Sequence, residues 1–183
     1  HAKMSAQAAF RTKILFDTNQ LLQRAKSEEE ILSQTASQLM KLLNRSLIVY
    51  PEQNRGLGSE QIFSVDGETA KNIFSAPEER DAANWTFANK KRSGAGTDSY
   101  PDAKGLYLAL RTGGGVFGVV GIDLSEKPLD AFENSVLLSI LGEGALAIEN
   151  RRNALEKEQA ALQAKNEELR ANLLRTISHD LRT

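Results

Sequence analysis

Apolar residues at helical spacing open the chain and predict two helices. Phe10, Ile14 and Leu21 fall on one stripe, and the same period starts again after Ser27. Ser27 and Glu30 have the S-x-x-E spacing of a capping box, in which each side chain can satisfy a backbone amide at a helix start. We therefore predict one helix that ends before Ser27 and a second helix that begins there.

The pattern then changes to short β-branched and aromatic segments, which predict strands. The segment SLIVY, residues 46–50, is followed by Pro51, whose nitrogen cannot donate to a strand ladder. A glycine-rich turn, NRGLGS, separates it from a second predicted strand, EQIFSV, at residues 60–65. We expect the first of these strands to end at Pro51.

A third helix is predicted over residues 78–91, with Ala82, Trp85 and Ala88 on one face. The loop that follows is rich in glycine, serine, aspartate and proline. It leads into a predicted hairpin made of two strands.

The hairpin strands have different patterns. LYLALR, residues 106–111, alternates, so that its three leucines face one way and Tyr107 the other. VFGVVGIDL, residues 116–124, is apolar on both faces, so we expect it at the centre of a sheet. The TGGG sequence between them supplies the turn residues.

From about Leu129 onward the chain contains no proline and no turn cluster, which predicts one helix of more than fifty residues. An apolar residue recurs every seven positions along it: Leu141, Ile148, Leu155, Leu162 and Leu169. The alternate core positions are mostly small or polar. This pattern is typical of a marginal parallel coiled coil with specificity elements in its core. After Leu169 the spacing changes to four, which resembles a stutter.

Composition narrows the function classes. The chain is 40% hydrophobic and 26% charged, with a net charge of −1, which is ordinary for a globular protein and gives no electrostatic reason to expect nucleic acid. The basic run at residues 90–92 is expected to be a solvated helix end. The absence of cysteine excludes disulfides, thiol catalysis and zinc–thiolate sites, and fits a reducing compartment. The longest apolar run, residues 116–122, is too short to span a bilayer.

The last residues carry a specific motif. His179-Asp180-Leu181-Arg182-Thr183 resembles the H-box of sensor histidine kinases, which continues with a proline. The preceding LRANLLRTIS is similar to the approach to that box. The resemblance implies that His179 accepts the γ-phosphoryl group of ATP and passes it to a response regulator. It also implies that Asp180 is a general base or orienting group, and that Thr183, three residues later, positions water for a phosphatase reaction.

The middle of the chain resembles a GAF sensor domain. The resembling parts begin at Trp85 and include a Gly-Ala-Gly-Thr-Asp loop, a Tyr-Leu-x-Leu strand and a Gly-Val-Val-Gly-Ile strand. They are most similar to the GAF region of potassium-responsive sensor kinases. The resemblance implies an α+β fold: an antiparallel sheet of five or six strands, with the terminal helices on one face and a helix with loops on the other.

Four segments follow from this interpretation. We expect an N-terminal helix at residues 1–26, with His1 a tag remnant. A GAF sensor domain is expected at 27–150, a coiled-coil signalling helix at 151–172, and the start of the dimerisation and phosphoacceptor helix at 173–183. The family also implies a larger parent, with membrane spans and an ATP-binding domain outside this chain.

A ligand pocket is a second candidate site. Concave sites usually combine apolar walls with a few polar groups, and five residues near the 93–105 loop have that character: Trp85, Thr97, Asp98, Tyr100 and Tyr107. Each of them also has a structural interpretation, since tryptophan and tyrosine are often core residues and Thr97 and Asp98 can shape a turn.

The leading functional hypothesis is a cytoplasmic regulatory GAF domain that relays a potassium or osmotic signal to the phosphoacceptor histidine of a two-component kinase. Its expected partners are a second copy of the chain, bound through the long helix, and a response regulator. ATP and magnesium belong to the parent kinase, whereas no cofactor or metal is expected in this chain. The alternative is a metabolite-binding module whose helix is only a linker. An enzyme in its own right would need a nucleophile or metal cluster that the sequence does not offer.

Overall fold

The helices and strands follow the predicted order, with one helix and two short strands added. The computed structural model describes residues 2–182. Its elements are α1 (Ala2–Arg24), α2 (Glu28–Leu43), β1 (Leu47–Gln53), β2 (Gly56–Leu57), β3 (Gln61–Phe63), α3 (Gly67–Phe74), α4 (Pro77–Asn89), β4 (Ser93–Gly94), β5 (Gly105–Thr112), β6 (Gly115–Asp123) and α5 (Ala131–Arg182).

The predicted start of α2 is confirmed. Ser27 is its N-cap, and the Ser27 Oγ accepts a hydrogen bond from the Glu30 amide at 3.1 Å. The Glu30 carboxylate accepts in return from the Lys26 amide at 2.8 Å. At the other end Asn44 adopts a left-handed conformation with φ 51° and closes the helix.

All strand pairs are antiparallel, and they form a six-stranded sheet in the order β2-β1-β6-β5-β4, with β3 also paired to β1. This confirms the GAF-like α+β fold expected from the resemblance. The β6 strand, apolar on both faces, lies at the centre as predicted. A buried central strand needs no polar face, which explains its sequence.

The two faces of the sheet pack into two separate cores. The larger core holds the three leucines of β5 together with apolar residues of α1, α2 and the first part of α5. The smaller core, on the opposite face, holds Tyr107 with Ile48, Tyr50 and apolar residues of α3 and α4. The period-two alternation of β5 therefore assigns its side chains to the correct faces.

The predicted end of the first strand at Pro51 is wrong, because β1 continues to Gln53. Pro51 lies opposite Gly118 of β6 in the ladder. Its carbonyl oxygen accepts a hydrogen bond from the Gly58 amide at 2.7 Å. A proline lacks only the donor of its residue, so its acceptor still ties the strand to the following turn.

The helical side of the smaller core differs from the prediction in two ways. The eight-residue α3 has too few turns to show a period in the sequence, and it was not predicted. In α4 the buried face is formed by Glu79, Ala82, Ala83 and Thr86. Trp85 is only half-buried and Ala88 is exposed, so the face predicted from Ala82, Trp85 and Ala88 is rotated from the real one.

The long C-terminal helix is confirmed as α5, and the chain divides within it into two compact units, His1–Ile148 and Glu149–Thr183. In the first unit, α5 contributes seven buried residues: Val136, Leu137, Ile140, Leu141, Gly144, Ala145 and Ile148. In the second unit every described residue from Asn153 onward is exposed.

The predicted seam of five apolar residues therefore splits. Leu141 and Ile148 belong to the larger core and are 4% and 1% exposed. Leu155, Leu162 and Leu169 lie in the second unit and are about half exposed. Only these last three are available to a partner helix. By length and composition alone, α5 is apolar enough to cross a membrane. The seven core residues in its first part account for much of that hydrophobicity.

Candidate functional site

The H-box residues lie at the end of α5, with their side chains in solvent. The His179 and Asp180 side chains are 81% and 76% exposed, and the His179 Nδ1 is 3.9 Å from the Asp180 Oδ1. That distance is too long for a hydrogen bond but close enough for the carboxylate to attract a charged imidazole. An accessible imidazole with a carboxylate beside it can act as a nucleophile toward a phosphoryl group. Thr183 lies outside the described residues, so its expected role stays a prediction.

The five residues predicted to line a ligand pocket are not gathered into one wall. Tyr107 is fully buried in the smaller core, whereas Asp98 and Tyr100 are exposed. Thr97 stabilises its own loop, because its hydroxyl contacts the carbonyl oxygens of Gly94 and Ser99 at 2.8 and 2.9 Å. These contacts support the structural interpretation of Thr97 and Tyr107.

A buried carboxylate organises this part of the domain instead. Glu79 of α4 is 2% exposed. Its Oε1 accepts hydrogen bonds from the Tyr107 hydroxyl and the Gly105 amide, both at 2.9 Å, and its Oε2 accepts from the Lys104 amide at 3.0 Å. Three donors on one carboxylate offset the cost of removing it from water. Glu79 thus joins α4 to the start of β5.

The two buried tyrosines hold their protons strongly. Burial, with the negative charge of Glu79 and the hydrogen bond to it, raises the pKa of Tyr107 far above its usual value. Burial also raises the pKa of Tyr50 to about 12, and the nearby Glu60 adds to the effect. Both phenols are therefore neutral at ordinary pH, which lets Tyr107 act as a donor.

Arg80, next to Glu79 in the chain, ties α4 to the turn after β1. Its guanidinium lies 5.1 Å from the centre of the Tyr50 ring, a cation–π distance. It donates to the carbonyl oxygens of Leu57 at 3.1 Å and Gly58 at 3.4 Å, and contacts the Glu60 carboxylate at 3.2 Å. These contacts stay within one edge of the sheet.

A buried arginine, Arg45, lies between α2 and β1. Arg45 has 6% of its side chain exposed, and its Nη1 donates to the carbonyl oxygens of Asp123 at 3.1 Å and Lys127 at 2.7 Å. Its Nη2 donates to the carbonyl oxygen of Pro128 at 3.0 Å, and its Nε to the Glu133 Oε2 at 3.3 Å. We refer to Arg45 and these four acceptors as the Arg45 cluster. It ties the end of α2 to the connection that leads into α5.

The start of α5 is itself capped by reciprocal side-chain contacts. The Asp130 Oδ1 accepts from the Glu133 amide at 2.7 Å, and the Glu133 Oε1 accepts from the Asp130 amide at 3.2 Å. This is the capping-box arrangement. Since Glu133 also binds Arg45 through its other oxygen, one carboxylate serves both the helix cap and the Arg45 cluster.

Two concave regions of the first unit have mostly polar walls. A groove of about 660 Å³ lies between the start of α2 and strands β1 and β3, and its walls include Glu29, Glu30 and Glu60. A cavity of about 400 Å³ lies beside Arg45 and includes Asp66 and Lys127. Within residues 2–182 no group of three or more histidines and carboxylates could hold a metal ion.

Comparisons with known proteins find relatives of this chain in sequence and in fold. No family model matches the chain. The sensor protein KdpD of Clostridium acetobutylicum is 32% identical over 174 residues, which cover 94% of this chain and 19% of that protein. KdpD of Escherichia coli is 26% identical over 185 residues, covering 100% of this chain and 20% of that protein.

The chain is a homologue of the KdpD sensor proteins. It spans about one fifth of the length of these relatives. Its fold matches that of the GAF domain of the potassium sensor histidine kinase KdpD of E. coli, with TM-score 0.59 and 22% identity, covering 82% of this chain and 99% of that one. The GAF domain of a putative sensor histidine kinase from Pseudomonas syringae pv. tomato covers 88% and 99%, with TM-score 0.58 and 19% identity. The chain therefore has the fold of a GAF domain and is similar in sequence to one segment of the KdpD sensor proteins.

Two charged residues of this domain were missed by sequence reasoning. Glu79 and Arg45 are ionisable, and such residues are expected at the surface unless a partner is known. The partners of Arg45 lie about eighty residues away in the chain, so no local pattern could reveal them. For Glu79 a weak signal existed, because it falls on the same helical face as Ala82, Ala83 and Thr86.

Proposed function

We propose that this chain is the regulatory GAF region of a KdpD-type sensor histidine kinase, and that α5 relays the state of the domain to the phosphoacceptor His179. One observation supports this relay. The helix that supplies seven residues to the domain core continues without a break to His179 and Asp180. A rigid helix is a suitable element for carrying a displacement over such a distance.

The proposed chemistry is a phosphoryl transfer. A ring nitrogen of His179 attacks the γ-phosphorus of ATP, a P–N bond forms, and the bond to the bridging oxygen breaks as ADP leaves. The labile P–N bond then allows transfer to an aspartate of a response regulator. Asp180 would orient the imidazole and offset its developing charge. Thr183 would support a phosphatase reaction, in which water takes up the phosphoryl group, by positioning that water.

ATP and magnesium would be held by a catalytic domain outside this chain, where the metal neutralises charge on the phosphates. The response regulator is likewise a partner of the whole protein. Cytoplasmic placement, with membrane spans elsewhere in the parent, is part of the same proposal. It is supported by the homology to the KdpD sensor proteins and by the absence of cysteine.

Dimerisation through the second unit is the remaining part of the proposal. Leu155, Leu162 and Leu169 are exposed at a spacing of seven, which supports a seam for a second copy of the chain. Between them lie the polar core positions Gln159 and Asn166. Such a seam favours a weak parallel dimer whose packing can change at low cost in free energy, as a relay requires.

A metabolite-binding function has less support. The candidate pocket residues Thr97 and Tyr107 form internal hydrogen bonds, and Asp98 and Tyr100 point to the surface rather than into a shared cavity. The relay is therefore the function that we propose.

Replacement of the phosphoacceptor tests the proposal. In the full-length protein with radiolabelled ATP, His179→Gln should reduce labelling by at least about a hundredfold, since the nucleophile is removed. Arg175→Gln, on the same exposed end of α5, is the matched control and should keep labelling within about twofold. Equal labelling of wild type and His179→Gln would refute the assignment.

A further inference from the structure

We propose that Arg45 is the residue that fixes where α5 begins, and that a displacement of α2 or β1 reaches the output helix through it. The proposal names a positioning residue, because Arg45 touches no reacting atom. Its second part rests on the proposed relay to His179, whereas its first part concerns only the domain. The two parts can therefore be tested separately.

Arg45 lies where four elements meet. Asn44 closes α2 immediately before it, and Leu47 begins β1 two residues later. The backbone of the next residue, Ser46, accepts a hydrogen bond from the Asp123 amide at the end of β6. A shift of α2 relative to the sheet must therefore move the Arg45 backbone.

The Arg45 side chain links its own backbone to the connection between β6 and α5, so that a shift of one is transmitted to the other. This connection, residues 124–130, has no regular secondary structure. One guanidinium binds the carbonyl oxygens of Lys127 and Pro128 within it and that of Asp123, the last residue of β6. Guanidinium is planar and has five donors in a fixed fork, so it can hold several acceptors in one geometry. A lysine ammonium at this position could not satisfy all of them.

Glu133 links this arrangement to the helix start. Its Oε2 accepts from Arg45, while its Oε1 accepts from the Asp130 amide and its own amide donates to Asp130. A carboxylate shared in this way cannot leave Arg45 without disturbing the capping box of α5. The first turn of the output helix is thus coupled to the end of α2 through a single buried side chain.

Arg80 provides an internal comparison. Both arginines bind backbone carbonyls of a connecting segment and one glutamate. The partners of Arg80 lie at the turn between β1 and β3, and none of its described contacts reaches α5. A general loss of domain stability should therefore follow from changes at either arginine, but a specific effect on α5 only from changes at Arg45.

Amide hydrogen exchange in the 183-residue chain tests the first part. Arg45→Gln should speed exchange at the Glu133 and Asn134 amides at least about tenfold, since charge-assisted hydrogen bonds are lost. It should leave the Gly58 amide, bound to the Pro51 carbonyl, unchanged. Arg80→Gln should produce the reverse pattern, and Arg45→Lys an intermediate effect at Glu133. Unchanged exchange at Glu133 and Asn134 in Arg45→Gln, or the same pattern in both glutamine variants, would overturn the assignment.

Phosphorylation in the full-length protein tests the second part. The rate of labelling at His179 should change at least about fivefold in Arg45→Gln, in either direction, and less in Arg45→Lys. It should stay within about twofold in Arg80→Gln. If exchange at Glu133 changes but labelling does not, Arg45 positions α5 without transmitting a signal and the coupling is refuted. If wild type is not labelled at His179 at all, the relay fails, while the exchange result still decides whether Arg45 fixes the start of α5.

Discussion

The Tyr107 hydroxyl donates a hydrogen bond to the Glu79 carboxylate at 2.9 Å, inside the smaller core and 28 positions apart in the chain. This contact fills the space between the sheet and α4 with a polar pair whose groups are all satisfied. Tyr107 is one of the five residues that the sequence suggested as the lining of a ligand pocket. The pair is therefore better understood as a structural element that fixes the start of β5 than as part of a binding site.

Removal of the Glu79 carboxylate should destabilise the domain. Glu79→Ala leaves the Lys104 amide, the Gly105 amide and the Tyr107 hydroxyl without their acceptor. We expect a loss of about 3 kcal/mol or more in the free energy of unfolding, measured by urea denaturation. Glu78→Ala, at the exposed neighbouring position, is the control and should change it by less than about 0.5 kcal/mol. Equal losses in the two variants would show that the three hydrogen bonds to Glu79 contribute nothing specific to stability.

Stability should fall at alkaline pH. In the unfolded chain tyrosine ionises near its ordinary pKa of 10.0, whereas in the folded domain burial raises the pKa of Tyr50 to about 12 and that of Tyr107 higher. Above pH 10 the unfolded state thus binds fewer protons than the folded state, and the free energy of unfolding decreases as pH rises. Each affected tyrosine contributes about 1.4 kcal/mol per pH unit in this range.

Replacement of each tyrosine by phenylalanine tests whether the two buried tyrosines cause this loss of stability at alkaline pH. Denaturation between pH 9 and about 11 measures the effect. The free energy of unfolding of the Tyr50→Phe and Tyr107→Phe variants should decrease less steeply with pH than that of wild type. Tyr100→Phe changes a residue outside both cores and is the control. A slope that is the same in all four proteins would contradict the account.

Alanine substitutions at two glycines of α5 should change the stability of the domain in opposite directions. A Cβ on Gly144 would lie 2.7 Å from the Thr35 Oγ1 of α2, whereas a Cβ on Gly142 would meet nothing within 4 Å. Gly144→Ala should therefore cost about 1–3 kcal/mol through overpacking. Gly142→Ala should stabilise the domain by about 0.5–1 kcal/mol through higher helix propensity. Thermal denaturation of the two variants tests this. A melting temperature that shifts in the same direction in both would be inconsistent with this packing of α2 on α5.

The seam of the second unit should control self-association. Leu162→Ser should weaken dimerisation at least about tenfold, because each copy loses a buried apolar side chain. Ala161→Ser, at the preceding position, is the matched control. Asn166→Leu should strengthen the dimer by replacing a polar core residue. Sedimentation equilibrium of the chain measures all three, and an unchanged mass distribution in Leu162→Ser would argue against this seam.

The parts of the fold that sequence reasoning predicted correctly are those with a local cause. The Ser27 cap, the alternation of β5 and the apolar β6 strand each depend on neighbouring residues, and all three were predicted. The eight residues of α3 are too few to show a helical period, so α3 was not predicted. The passage of β1 through Pro51 depends on pairing with β6, a distant segment, and was not predicted either. Arg45 was missed for the same reason, since its acceptors come from the other end of the domain.

The candidate sites differ in the same way. His179 and Asp180 are recognisable because their motif is contiguous, and the structure places them together at the end of α5. The pocket residues were grouped by residue type near one loop, and the fold separates them into core and surface. Residue type alone does not specify which side chains meet.

The central claim is that α5 carries the state of the domain to His179 as a continuous helix. Insertions after Glu158 in the full-length protein test it directly, with the rate of labelling at His179 as the measurement. Seven added residues preserve the period of the seam, whereas two added residues rotate the following helix by about 200°. We predict that the seven-residue insertion keeps labelling within about twofold of wild type and that the two-residue insertion changes it at least about fivefold. Equal labelling with both insertions would contradict a relay through α5.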